Sequence, residues 1–175
     1  MALVLRGRNL AVATVMLCSA LLLTSCSSSP SIRTTPDPIA DARDQAMAAY
    51  QAYLDIEAKA YAQGSLTGID PTVYARGSAL AVIKVGVGSF EADNLVMKGN
   101  PGHSSLEVTS VDLASMPPTV KIQGCYDSTN YVKTDKVTGR ILDSDRYRVV
   151  EGGVAQRVDG HWLISEAWSD PKRPC

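Results

Sequence analysis

The sequence has little of what marks most catalytic and nucleic-acid-binding classes. It has no basic run, and its formal net charge is −1, which argues against nucleic acid as a partner. It contains no Gly-x-Ser-x-Gly, no phosphate-binding loop and no Gly-x-Gly-x-x-Gly. His103 and His161 stand far apart, without a cluster of cysteines or carboxylates. No zinc site is therefore written into the chain, and no cofactor is expected. His103 lies in a Gly-Asn-Pro-Gly-His loop and His161 directly after a turn signal, so both are expected to be exposed. No two cysteines have the Cys-x-x-Cys spacing of a redox motif. There is no internal repeat.

What is present begins with a leader. Arg6 and Arg8 precede Leu10 to Leu23, which carry no charge. A spanning helix needs roughly 20 apolar residues, so this shorter run fits the core of a signal peptide. It ends in Leu23-Thr24-Ser25-Cys26, which resembles the lipobox of bacterial lipoproteins. That resemblance implies a diacylglyceryl group on Cys26 and cleavage before it. The expected organisation is a lipoprotein signal peptide over 1–25, a lipidated flexible tether over 26–36 and one domain over 37–175. The expected place is the outer face of the cytoplasmic membrane, in the cell envelope. The alternative is an ordinary secreted protein with a chance cysteine near its cleavage site. Cleavage removes two arginines and no acids, which leaves 15 Lys+Arg against 18 Asp+Glu and a charge of −3. Such a balance gives no help on anionic lipid, so the acyl chains must supply the membrane attachment.

Cys18 leaves with the leader and Cys26 is modified. Cys125 and Cys175 remain, an even pair in an oxidising compartment, and a disulfide between them is expected. After the polar, proline-punctuated tether, Asp37-Pro38 signals a helix start. The helix is expected to run to Gln63 and stop at Gly64. Its apolar positions include Met47, Tyr50, Tyr53, Leu54, Ala58 and Tyr61, with Asp44, Gln51, Asp55 and Lys59 opposite. Asp70-Pro71 repeats the start signal. A second helix is expected from Gly77 to about Val85, weakened by Gly86 and Gly88. Strands follow over Ser105–Leu113, Thr119–Asp127, Asn130–Thr134, Arg146–Val158 and His161–Trp168. A bulge is expected at Gly152-Gly153 and a tight hairpin at Asp159-Gly160. On the last strand, alternation places Trp162, Ile164, Glu166 and Trp168 on one face.

Helices followed by antiparallel strands make an α+β fold, with N-terminal helices packed on a curved sheet. Gly124-Cys125-Tyr126-Asp127, Thr138-Gly139-Arg140, Asp159-Gly160-His161-Trp162-Leu163-Ile164 and Cys175 fall in that order. In this the chain resembles actinobacterial secreted and lipoprotein members of the nuclear transport factor 2-like (cystatin-like cone) superfamily. The resemblance implies a cone-like fold and, again, a Cys125–Cys175 bridge. It implies little about activity, because that fold hosts enzymes and plain binding modules alike.

Two carboxylates stand as weak catalytic candidates. Glu166 beside indoles would have a raised pKa and could move a proton, against the simpler reading that it is solvated. Asp127 could point inward, although an Asp there more often ties down a turn. Tyr50, Tyr53, Leu54, Trp162, Ile164 and Trp168 are the candidate pocket wall. With no acid–base pair in view, the leading expectation is a non-enzymatic, membrane-anchored module that binds an envelope protein partner or a small apolar ligand. The rival is an isomerase or dehydratase acting on a small hydrophobic molecule inside the cone. It requires Glu166 or Asp127 buried beside a cavity of several hundred Å³ (the order of an ordinary ligand site, roughly 300–1,000 Å³). A pocket filled by Tyr50, Leu54 and Trp162 would count against it. A third reading, an envelope-exclusion or immunity lipoprotein of a mobile element, is separable only by genomic neighbours.

Overall fold

The computed structural model describes residues 37–143 and 146–175. The expected signal peptide over 1–25, the expected lipidation site Cys26 and the expected tether over 26–36 lie outside the described residues. No described helix is long and apolar enough to cross a membrane.

Helix α1 spans Pro38–Gln63. The Asp37 carboxylate accepts from the Ile39 N–H at 2.9 Å, and Pro38 occupies the first turn, where a missing N–H costs nothing. At the other end Gly64 takes φ 66° and donates its N–H to the Ala60 carbonyl. Only a residue without Cβ adopts that left-handed cap cheaply. A short 3-10 turn, Pro71–Val73, is capped by Asp70, which accepts from both the backbone N–H and the hydroxyl of Thr72.

Helix α2 runs Gly77–Ala92, well past the expected stop near Val85. The glycines do not end it, because packing holds the later turns. Val87 is fully buried, and Phe90 meets Tyr61 edge-on at 4.9 Å. A Cβ on Gly86 would collide with the Tyr61 hydroxyl. Gly86 is thus the contact point of the two helices rather than a breaker.

Seven strands form two antiparallel sheets. One holds β1 (Leu95–Gly99), β4 (Tyr131–Asp135) and β5 (Ile141–Asp143), in the order β1-β4-β5. The other holds β2 (Gly102–Asp112), β3 (Thr119–Asp127), β6 (Arg148–Val158) and β7 (His161–Pro174), in that order. Two helices and antiparallel sheets make the domain α+β. β1 and β5 had no expected counterpart. Asp159 (φ 50°) and Gly160 (φ 84°) turn β6 into β7, the left-handed pair a two-residue hairpin needs.

The core joins α1 and α2 to the four-stranded sheet. Ala46, Tyr50, Tyr53, Ala79, Ile83, Val120, Ile122, Ala155, Trp162 and Ile164 are all buried there. Cys125 on β3 and Cys175 are joined by a disulfide. It fixes the end of the chain to the middle of the sheet, as both the cysteine count and the resemblance lead one to expect.

The bulge expected at Gly152-Gly153 is not there: both glycines pair in register with β3 and β7, and the extra residue lies in β7 instead. Ala155 pairs with Ile164 but Val154 pairs with Glu166, so Ser165 is the extra residue. Ser165 is pinned from two sides. Its hydroxyl donates to the Val154 carbonyl at 3.0 Å, and its own carbonyl accepts from the Ser78 hydroxyl at 3.2 Å. An extra residue reverses the facing of everything after it. The expected common face of Trp162, Ile164, Glu166 and Trp168 is therefore broken. Trp162 and Ile164 are core, Glu166 is exposed, and Ala167 moves to the inner side.

Candidate functional site

A cavity of about 350 Å³ lies between α1 and the strands. From α1 it takes Tyr50, Tyr53, Leu54, Glu57, Ala58 and Tyr61, residues spaced three and four apart along one face. His103 of β2, Tyr126 of β3, Tyr131 of β4 and Glu151 of β6 line it as well, with Ala167, Trp168 and Ser169 of β7, Val82 of α2, Pro101 and Tyr147. A Cβ on Gly153 would lie 2.7 Å from the Tyr50 ring, so glycine lets that ring pack directly on β6.

Of the candidate wall residues, Tyr50, Tyr53, Leu54 and Trp168 line the cavity, whereas Trp162 and Ile164 belong to the core beside it. Neither candidate carboxylate reaches the cavity. Glu166 points to solvent, on the far side of the Ser165 irregularity. Asp127 ties down a turn, accepting from the Thr129 N–H at 2.8 Å. Hydrogen bonds from Thr129 hold its carboxyl below the usual range, and Arg148 at 3.4 Å adds to this.

The polar groups that do converge are Glu57, His103 and Glu151. Glu151 is 5 % exposed, and its Oε1 lies 2.8 Å from His103 Nδ1. A carboxylate only accepts, so the proton between them sits on Nδ1 and leaves Nε2 as the second ring nitrogen. His103 is therefore not the exposed loop residue expected from its Pro-Gly context. Gly102 and His103 open β2, opposite Asp127 and Tyr126, and this pairing turns the imidazole inward. The rings of His103, Tyr126 and Tyr147 follow one another at 5.7 and 5.8 Å. His161 is exposed.

Glu57 keeps partial contact with solvent while lining the cavity. Desolvation pushes its carboxyl up to about 7; the His103 ring opposes this and Glu151 reinforces it. Burial also pushes the Tyr50, Tyr53, Tyr126 and Tyr131 hydroxyls far up, and Tyr61 to about 12. All five stay neutral at ordinary pH. Two of these hydroxyls, on Tyr53 and Tyr131, are buried without any hydrogen-bond partner. Neither oxygen has surface on the open space, so both belong to the packed wall behind it. Among the described residues no group of three or more His, Cys, Asp or Glu side chains is placed to hold a metal ion.

The sequence carried a signal for each missed residue. Glu57 falls four after Tyr53 and four before Tyr61, on the apolar stripe rather than the polar one. Glu151 sits among Val149, Val150, Gly152 and Gly153 in a strand with no other acid.

No protein-family model matches the chain, and no curated protein is similar to it. Among solved structures, the chain is similar to the intermembrane space region of the chloroplast protein ARC6. The TM-score is 0.53 at 14% identity, over 73% of this chain and 95% of that one. The likeness is one of fold. An NTF-2-like protein of unknown function from Shewanella oneidensis MR-1 also aligns, at 14% identity over 70% of this chain and 97% of that one. Its TM-score is 0.35, too low to carry an argument.

Proposed function

We propose that this chain is an envelope lipoprotein of the nuclear transport factor 2-like cone class, whose domain binds a small molecule in the cavity between α1 and the sheet. The observation that carries the binding half is the open space of about 350 Å³ on which Glu57 and the His103–Glu151 pair converge. A residual packing gap would be apolar and dry. This wall is polar and aromatic. The sequence expectation of a small apolar ligand is thereby narrowed to a ligand that also carries polar groups.

The anchoring half rests on Leu23-Thr24-Ser25-Cys26 and the apolar run before it. Cys26→Ala is expected to move the protein from the membrane to the soluble fraction on cell fractionation. Protein that stays with the membrane contradicts the lipid anchor. The binding half is tested by Ala58→Phe, which puts a ring into the cavity from α1 and is expected to abolish small-molecule binding.

A second reading has an observation of its own. The sequence alone shows no acid–base pair, but the fold brings one together. Glu151 orients His103 at 2.8 Å, and Glu57 titrates near neutrality, where a proton donor or acceptor works best. This supports an isomerase or dehydratase that uses His103 and Glu57 in place of Glu166 or Asp127. Turnover that vanishes in both His103→Ala and Glu57→Gln would favour the enzyme over the binding module.

A further inference from the structure

Resting on the reading of the cavity as a binding site, we infer that its ligand is a small organic ammonium ion, held by tyrosine ring faces and the Glu57 carboxylate.

Among the described residues the wall contains no lysine or arginine, and its acids are Glu57 and Glu151. Its one described basic side chain, His103, is already committed to Glu151 at 2.8 Å. An anionic ligand would face two carboxylates with no described lysine or arginine to meet it. A purely apolar ligand would bury Glu57 further, which is costly.

An ammonium ion meets each requirement. Its charge pairs with Glu57. Its N–H groups donate to the Glu57 carboxylate oxygens. Its position among rings gains cation–π attraction, greater where water is excluded. The rings are preset for this role. Tyr126 stands between His103 and Tyr147 at 5.7 and 5.8 Å, and Tyr61 lines the same space from α1. No ring has to be recruited, so little conformational entropy is lost on binding.

Binding should strengthen as pH rises. The titratable groups around the site are Glu57 on α1, His103 on β2 and Glu151 on β6, with the tyrosine hydroxyls of α1, β3 and β4 neutral throughout. Lowering the pH through about 7 neutralises Glu57, which opposes a cation.

The test is calorimetry on the full chain in maltoside micelles, with three probes of one size: benzylammonium, benzyl alcohol and benzoate. The expected result is saturable binding of benzylammonium at pH 8, at least about tenfold tighter than benzyl alcohol, with benzoate weakest. Affinity for benzylammonium should fall about tenfold between pH 8 and pH 6, the drop in the ionised fraction of a carboxyl that titrates near 7. Glu57→Gln should remove both the preference for charge and most of the pH dependence. If that variant does not fold, the wild-type pH series decides alone. Benzyl alcohol or benzoate binding as tightly as benzylammonium overturns the ammonium assignment and leaves the binding site standing. A wild-type affinity that does not change with pH also overturns the assignment. No saturable response to any of the three overturns both.

Discussion

Removing the disulfide is expected to lower the free energy of unfolding by about 4 kcal/mol, the chain-entropy value for a loop of this length. Cys125 and Cys175 are 50 residues apart in sequence. The bridge closes a loop that contains β4, β5, β6 and β7, two of the three strands of one sheet and two of the four of the other. Without it the unfolded chain gains that freedom, and the β7 end loses its tie to β3. Cys125→Ala and Cys175→Ala should cost nearly the same, and the double variant little more than either. All three remove one and the same bond, so their effects cannot add. Urea denaturation of the oxidised protein and the three variants measures this. A loss below about 1 kcal/mol, or a double variant that costs the sum of the singles, contradicts it.

Glu57→Gln is expected to stabilise the protein at pH 8 and to leave it unchanged near pH 4. The Glu57 carboxyl titrates at about 7 in the fold against 4.5 for the free group. Below 4.5 both the folded and unfolded states hold the proton, and the carboxyl imposes no penalty. Between 4.5 and 7 the folded state holds a proton that the unfolded state has lost, so stability falls as pH rises. Above 7 the penalty is complete, at about 3 kcal/mol as an upper figure. Glutamine is neutral throughout and escapes it. The measurement is the difference in unfolding free energy between wild type and variant at several pH values. A difference that stays flat with pH, or a variant less stable than wild type at pH 8, contradicts the desolvated carboxyl. A natural residue that weakens its own fold at neutral pH is what a binding group looks like when stability is given up for function.

How much of this was legible in the sequence differs by element, for physical reasons. The two ends of α1 were readable to the residue, because Asp37-Pro38 and Gly64 act through local hydrogen bonds and a single backbone angle. The Asp159-Gly160 hairpin was readable on the same ground. The extent of α2 was not, because Gly86 is set by the Tyr61 hydroxyl from another helix. The facing of β7 was lost at Ser165, which is held by Ser78 and Val154, both distant in sequence. Glu166, read from strict alternation beyond that point, was carried to the wrong side.

The site was half legible. Tyr50, Tyr53 and Leu54 follow from helical spacing, and Trp168 lines the cavity although the alternation that suggested it fails. The chemistry was hidden because it is assembled from three elements. Glu57 lies 46 residues before His103, and His103 lies 48 before Glu151. No motif spans such gaps, and only the pairing of β2, β3 and β6 closes them. A charge on an apolar stripe and an acid in a valine-glycine strand are the traces such a site leaves in one dimension.

The central claim is that the cavity is a receptor for a small molecule. Native mass spectrometry of the full chain, isolated gently from its host cells, tests it most directly. The expected result is a species one small-molecule mass above the bare chain, present in wild type and absent from Ala58→Phe. A bare chain in both preparations, or the same added mass in both, contradicts it.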